Sequence, residues 1–124
     1  MDLAKQQTQA WEDRYWTSRD GLRLHYRDYP GPGDRPPLLL LHGLTRNCRD
    51  FENVAARHAG DWRVLAVDFR GRGLSAPDPN SANYQPGTYA TDVIQLLDEL
   101  RIRQEVFLGT SLGGLVTIHH GWKI

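Results

Sequence analysis

Gly109-Thr110-Ser111-Leu112-Gly113 follows the apolar run Glu105-Val106-Phe107-Leu108. A serine with glycines two positions before and after it, between a strand and a helix, sits on a sharp turn that exposes its hydroxyl. The glycines leave room for neighbouring backbone to pass, while the turn strains the serine's own backbone. This context reads Ser111 as a nucleophile. The helix that follows aims its free N–H groups and positive dipole end at the reacting centre. The N–H of Leu112 is then one donor to the oxyanion of an acyl-transfer intermediate. An incidental serine in a glycine-rich turn is the competing reading, and two further segments weigh against it.

Those segments are His42-Gly43-Leu44, after Leu38-Leu39-Leu40-Leu41, and Asp68-Phe69-Arg70-Gly71-Arg72-Gly73-Leu74-Ser75, after Arg63-Val64-Leu65-Ala66-Val67. Apolar runs without alternation read as strands buried on both faces, the habit of parallel sheets. Each segment therefore leaves the carboxyl end of such a strand, the edge where open α/β sheets bind ligands. The Gly-x-Gly pair at Gly71 and Gly73 lacks a third glycine and an immediate helix, so a dinucleotide site is rejected.

Other elements position these three. Residues 1–13 are polar and read as frayed or loosely helical. Tyr15-Trp16-Thr17 and Leu22-Arg23-Leu24-His25-Tyr26 flank Asp20-Gly21, a hairpin signal. Alternation in the second of these strands puts His25 on a wet face, as a surface histidine. Pro30 to Pro37 is a loop by composition. Asn47 caps a helix with Phe51, Val54, Ala55 and His58 on one face, and Gly60 ends it. Thr88 opens a second helix whose apolar stripe is Tyr89, Val93, Leu96, Leu97 and Leu100. Alternating strands and helices give a parallel α/β sheet behind an N-terminal hairpin.

The chain has 124 residues with 15 basic and 15 acidic side chains, which suits one small domain without an electrostatic footprint for nucleic acid or an anionic membrane. Zero net charge also removes a safeguard against self-association. The lone cysteine, Cys48, excludes an intrachain disulfide and reads as half-buried filler. No signal peptide or membrane-length apolar run is present, so a cytoplasmic location is expected. Neither a cofactor nor a metal is expected, since no metal-ligand spacing occurs.

Taken in order and spacing, Leu41-His42-Gly43, Asp68-x-Arg70-Gly71-x-Gly73-x-Ser75 and Gly109-x-Ser111-x-Gly113-Gly114 resemble the α/β-hydrolase superfamily, of the serine esterase, lactonase and C–C hydrolase type. The resemblance runs from about Tyr15 to Thr117. It implies that Leu44 supplies the second oxyanion donor, and that His42 and Gly43 shape that loop without acting as a base. It implies that Asp68 and Arg70 pin their loop by hydrogen bonds and charge pairing, and that Gly109 and Gly113 frame the nucleophile. Ser111 argues against dehalogenases and epoxide hydrolases, which carry aspartate there. The implied substrate is a small ester, lactone or C–C compound.

The same resemblance implies a triad ordered Ser, then Asp or Glu, then His. After Ser111 the chain holds no acidic residue. His119 and His120 lie eight and nine positions on, about 12–14 Å up a helix axis, out of reach of Ser111. The tail Ile118-His119-His120-Gly121-Trp122-Lys123-Ile124 departs from the small apolar residues expected there. Residues 1–124 therefore read as the N-terminal part of a single α/β-hydrolase domain, by truncation or a shifted frame. Later strands, the cap region and the rest of the triad would lie elsewhere. The alternative is a non-catalytic fragment, or a partner-dependent half of a split hydrolase. Either way the Ser111 strand should form an open edge prone to self-association.

Overall fold

The computed structural model describes residues 10–43, 45–110 and 112–119. Strands β1 (Glu12–Thr17) and β2 (Arg23–Tyr29) form the N-terminal hairpin. Then come β3 (Leu38–Leu41), α1 (Glu52–His58), β4 (Val64–Val67), α2 (Pro86–Glu99), β5 (Val106–Gly109) and α3 (Leu112–His119). The sheet order is β1-β2-β4-β3-β5. β2 pairs antiparallel with β4, whereas β3 runs parallel to both β4 and β5. This is the expected α/β sheet, hairpin first.

Apolar runs on β3 and β4 are buried because each face of the sheet has its own cover. Leu39, Leu41, Leu65 and Val67 pack with Tyr89, Val93, Leu96 and Leu97 of α2 and Val116 of α3. Leu40, Val64 and Ala66 face Phe51 and Ala55 on the other side. Asn47 caps a 3-10 turn over Cys48–Phe51 that leads into α1, its side chain accepting from the Arg49 N–H. Gly60, at φ +94°, lies just past the helix end.

Two boundaries differ from expectation. β1 begins at Glu12, inside the stretch read as frayed, because cross-strand pairing with Asp28 extends the ladder. α2 begins at Pro86, whose fixed φ suits a first helical turn. Among the described residues no helix is long and apolar enough to cross a membrane.

β5 is an edge strand. Val106 and Leu108 are 43% and 41% exposed, whereas Leu40 opposite Leu108 on β3 is fully covered. An apolar edge with its backbone groups open is a template for pairing. At micromolar concentration the purified chain should therefore sediment as oligomers, and Leu108→Lys should shift it towards monomer. A stable wild-type monomer with a cooperative thermal transition would contradict this.

Candidate active site

Parallel register aligns the strand ends. Leu41 lies opposite Val67 on one side and Gly109 on the other, so His42, Asp68 and Thr110 leave the sheet at one level. The Thr110 N–H continues the ladder to the Leu41 carbonyl at 3.1 Å. α3 then starts at Leu112, and the Gly113 N–H donates to the Thr110 carbonyl at 2.9 Å. Gly113 is dictated by close approach, since a Cβ there would fall on the Leu41 carbonyl. A Cβ on Gly109 would meet the backbone of Gly113. Backbone thus packs on backbone where β3, β5 and α3 converge. Leu112 is buried there. Ser111 and Leu44 lie outside the described residues.

His42 is fully buried beside Gly43. Its Nδ1–H donates to the Gly43 carbonyl at 2.7 Å, and its Nε2 accepts from the Phe69 N–H at 3.0 Å. That pattern selects the neutral Nδ1–H tautomer, and burial lowers the ring's pKa further. With both nitrogens engaged by backbone, the ring fastens the segment after β3 to the segment after β4.

Asp68 is the hub of the second segment. Its Oδ1 accepts from the Cys48 N–H at 2.7 Å, and its Oδ2 accepts from the Leu74 N–H at 3.1 Å. Burial would raise its pKa, but His25 and these backbone donors hold it below the ordinary carboxylate value. The chain folds so tightly over this carboxylate that a Cβ on Gly73, at φ +51°, would collide with it. Arg70 is buried among three carboxylates. It forks onto Asp92 at 2.8 and 2.6 Å, and reaches Asp20 and Asp78, each at 2.8 Å. Hydrogen bonds to Asp92 lead the causes that keep its pKa raised.

Nothing in the local pattern marks Asp20 or Asp78 as partners of Arg70. For Asp92 a signal existed: an aspartate between Tyr89 and Val93 interrupts the buried stripe of α2.

His25 corrects the sequence reading. It is 1% exposed, not a surface histidine. Alternation along β2 is real, but its polar face meets protein. Nδ1 lies 2.6 Å from Asp68 Oδ2 and Nε2 lies 2.8 Å from Asp13 Oδ1. Arg27, next on that face, stacks over Trp11 and pairs with Glu52. Cys48 is also more buried than expected, and burial pushes its thiol up to about 12, which keeps it protonated and unreactive. The donor atoms of His25, Cys48 and Asp68 lie within 4.8 Å of one another. The short nitrogen–oxygen contacts are hydrogen-bond lengths, closer than two ligands flanking an ion on bonds of about 2 Å. The cluster is thus organised around protons.

Comparison with known proteins matches residues 38–123 to the profile of the "Alpha/beta hydrolase family". The 3-hydroxybutyrate-oligomer hydrolase of Cupriavidus necator is 36% identical over 94 residues, covering 76% of this chain and 32% of the relative. The bifunctional epoxide hydrolase 2 of Mus musculus is 31% identical over 103 residues, covering 82% of this chain and 18% of the relative. A crystal structure of an alpha/beta hydrolase from Novosphingobium aromaticivorans superposes with a TM-score of 0.90 at 53% identity, covering 93% of this chain and 40% of that one. The chain thus spans less than half the length of each of these proteins. With its sheet, its three aligned strand ends and these matches, the chain belongs to the alpha/beta hydrolase family.

Proposed function

We propose that Ser111 is the nucleophile of a cytoplasmic hydrolase acting on small esters, lactones or C–C bonds through an acyl-enzyme. The observation that carries this reading is the junction at Leu41, where Gly109 and Gly113 bring the end of β5 and the start of α3 against the end of β3. Such a junction sets the helix N-terminus beside the loop after β3. In this reading the Ser111 hydroxyl attacks the substrate carbonyl and gives its proton to a histidine base. The N–H groups of Leu44 and Leu112 stabilise the oxyanion. The base then protonates the leaving group, and water releases the acyl group from Ser111. Serine in place of aspartate at this position favours such chemistry over epoxide opening.

The base and its orienting acid belong to polypeptide beyond these residues, with residues 1–124 as the N-terminal part of one hydrolase domain. Support comes from the share of the relatives spanned and from two buried histidines. His42 and His25 each have both nitrogens engaged. A second reading, a half that works only with a partner chain, is favoured by the exposed Val106 and Leu108 edge of β5.

A p-nitrophenyl ester assay tests both. The isolated chain should hydrolyse the ester at the buffer rate. Adding a polypeptide corresponding to the part of the Novosphingobium relative beyond the matched region should restore turnover. Ser111→Ala in that mixture should lower it by about 10⁴-fold or more. Turnover by the isolated chain, abolished by Ser111→Ala, would overturn the claim that the base lies elsewhere.

A further inference from the structure

We propose that His25 is a positioning residue: held as an imidazolium between Asp13 and Asp68, it locks the carboxylate that fixes the loop carrying Leu44, and the loop loosens when His25 gives up its proton. This rests on the reading of residues 42–48 as the oxyanion loop.

That loop is tied at both ends to one dipeptide. At its start, His42 Nε2 accepts from the Phe69 N–H at 3.0 Å. At its end, the Cys48 N–H donates to Asp68 Oδ1 at 2.7 Å. Asp68 also closes its own segment through the Leu74 N–H. Backbone bonds reinforce the link to β2. The Asp68 N–H donates to the His25 carbonyl at 2.9 Å. The His25 N–H donates to Ser75 Oγ at 2.8 Å, and that hydroxyl donates to the Asp68 carbonyl at 2.7 Å. Asp68 therefore sets the position of both segments, and His25 hydrogen-bonds it directly.

Geometry fixes the charge of His25. A neutral imidazole has one N–H and one lone pair. It can donate to one carboxylate, but its lone pair would then face the other anionic oxygen. With Asp68 at 2.6 Å and Asp13 at 2.8 Å, only the imidazolium donates to both. Burial lowers the ring's pKa, but the two carboxylates outweigh it and leave it above the ordinary 6.5.

The other groups facing the ring come from each neighbouring element. They are Tyr15 of β1 at 5.2 Å between ring centres, the protonated Cys48 thiol, and Arg27 and Arg49 along the same cleft. The two arginines oppose protonation, Arg27 being itself paired with Glu52. A cleft of about 330 Å³, lined by Asp13, His25, Cys48, Asp68, Gly73 and Leu74 among others, gives solvent a route to the ring.

The sign follows from linkage. A group whose folded pKa is raised lends its stability in full below its unfolded pKa and loses it as pH rises through the folded value. The lock is therefore closed at pH 6.5 and below, and opens on the alkaline side. Asp68, with its pKa depressed, sets the acid limit below its ordinary 3.8.

Histidine C2–H exchange read by mass spectrometry gives the midpoint of His25 by itself, in oligomers as well as monomers. The wild-type midpoint should lie above 6.5. Asp13→Asn should lower it by about one unit or more. Asp13 is 38% exposed, so the variant disturbs little packing, and Asp13→Glu, which keeps the charge, should hold the wild-type midpoint. Amide exchange in peptides containing Cys48 and Leu74, corrected for its intrinsic pH dependence, should rise at the His25 midpoint and move with it in Asp13→Asn. A His25 midpoint at or below 6.5, or amide protection that ignores it, overturns the proposal. The esterase assay decides the other reading separately. Coupled loosening without serine-dependent turnover in the complemented protein keeps the lock and removes the hydrolase assignment, whereas turnover without coupled loosening removes the lock.

Discussion

Arg70→Met should destabilise the chain by about 3–5 kcal/mol, read as a lower midpoint in urea at fixed protein concentration. Arg70 is 2% exposed, and Asp92 and Asp78, which it holds, have side chains 5% and 6% exposed. Removing the guanidinium leaves their charges buried without a counterion. Burial already pushes the Asp92 carboxyl up against the pull of Arg70. Asp92 in the variant should therefore take up a proton readily, and part of the loss should be recovered at acid pH. Arg70→Lys should lose less, yet still clearly more than a surface change, because an ammonium cannot fork onto Asp92 while reaching Asp20 and Asp78. A loss below about 1 kcal/mol for Arg70→Met would show that the clamp adds little.

Gly113→Ala and Gly114→Ala should have opposite signs. Alanine is a better helix former than glycine by about 1 kcal/mol, which favours both changes. At Gly114 the nearest atom to a new Cβ is the Gly109 carbonyl oxygen at 3.7 Å, ordinary contact, so stability should hold or rise. At Gly113 the new Cβ would fall on the Leu41 carbonyl. α3 must then lift from the sheet, at a net loss of about 1–3 kcal/mol. In the complemented enzyme the Gly113 variant should also lose turnover, because the helix start and the β3 loop no longer meet. Thermal unfolding and the ester assay on both variants check this pair. A neutral Gly113→Ala would mean that the junction is loose.

The contrast between the two glycines shows what a sequence makes legible. Leu38–Leu41 and Val64–Val67 announce doubly covered strands because their lack of alternation is itself the signal. The glycines around Ser111 announce a close approach, and the structure identifies the atom that Gly113 approaches as the Leu41 carbonyl oxygen. His25 was misread because alternation reports only that one face of a strand is polar. Whether water or other protein meets that face depends in part on distant segments: Asp68 lies 43 positions from His25. Asp20 was hidden as a partner of Arg70 for the same reason, lying 50 positions from it. Local pattern encodes faces and turns, while long-range charge partners appear only once the chain has closed.

The strand order has a consequence for synthesis. The β1–β2 hairpin can form from neighbouring residues as soon as both strands leave the ribosome. β3 follows in the chain but does not pair with β2, whose other neighbour is β4. The hairpin must therefore wait with an open edge until residues 64–67 emerge, and β4 then joins β2 and β3 in one step. β5 is added last, on β3. The emerging chain thus has a vulnerable interval of about 35 residues between the end of β2 and the start of β4, when the hairpin has an open edge and β3 has no partner strand. A chaperone acting on this protein during translation would find its principal target in that window.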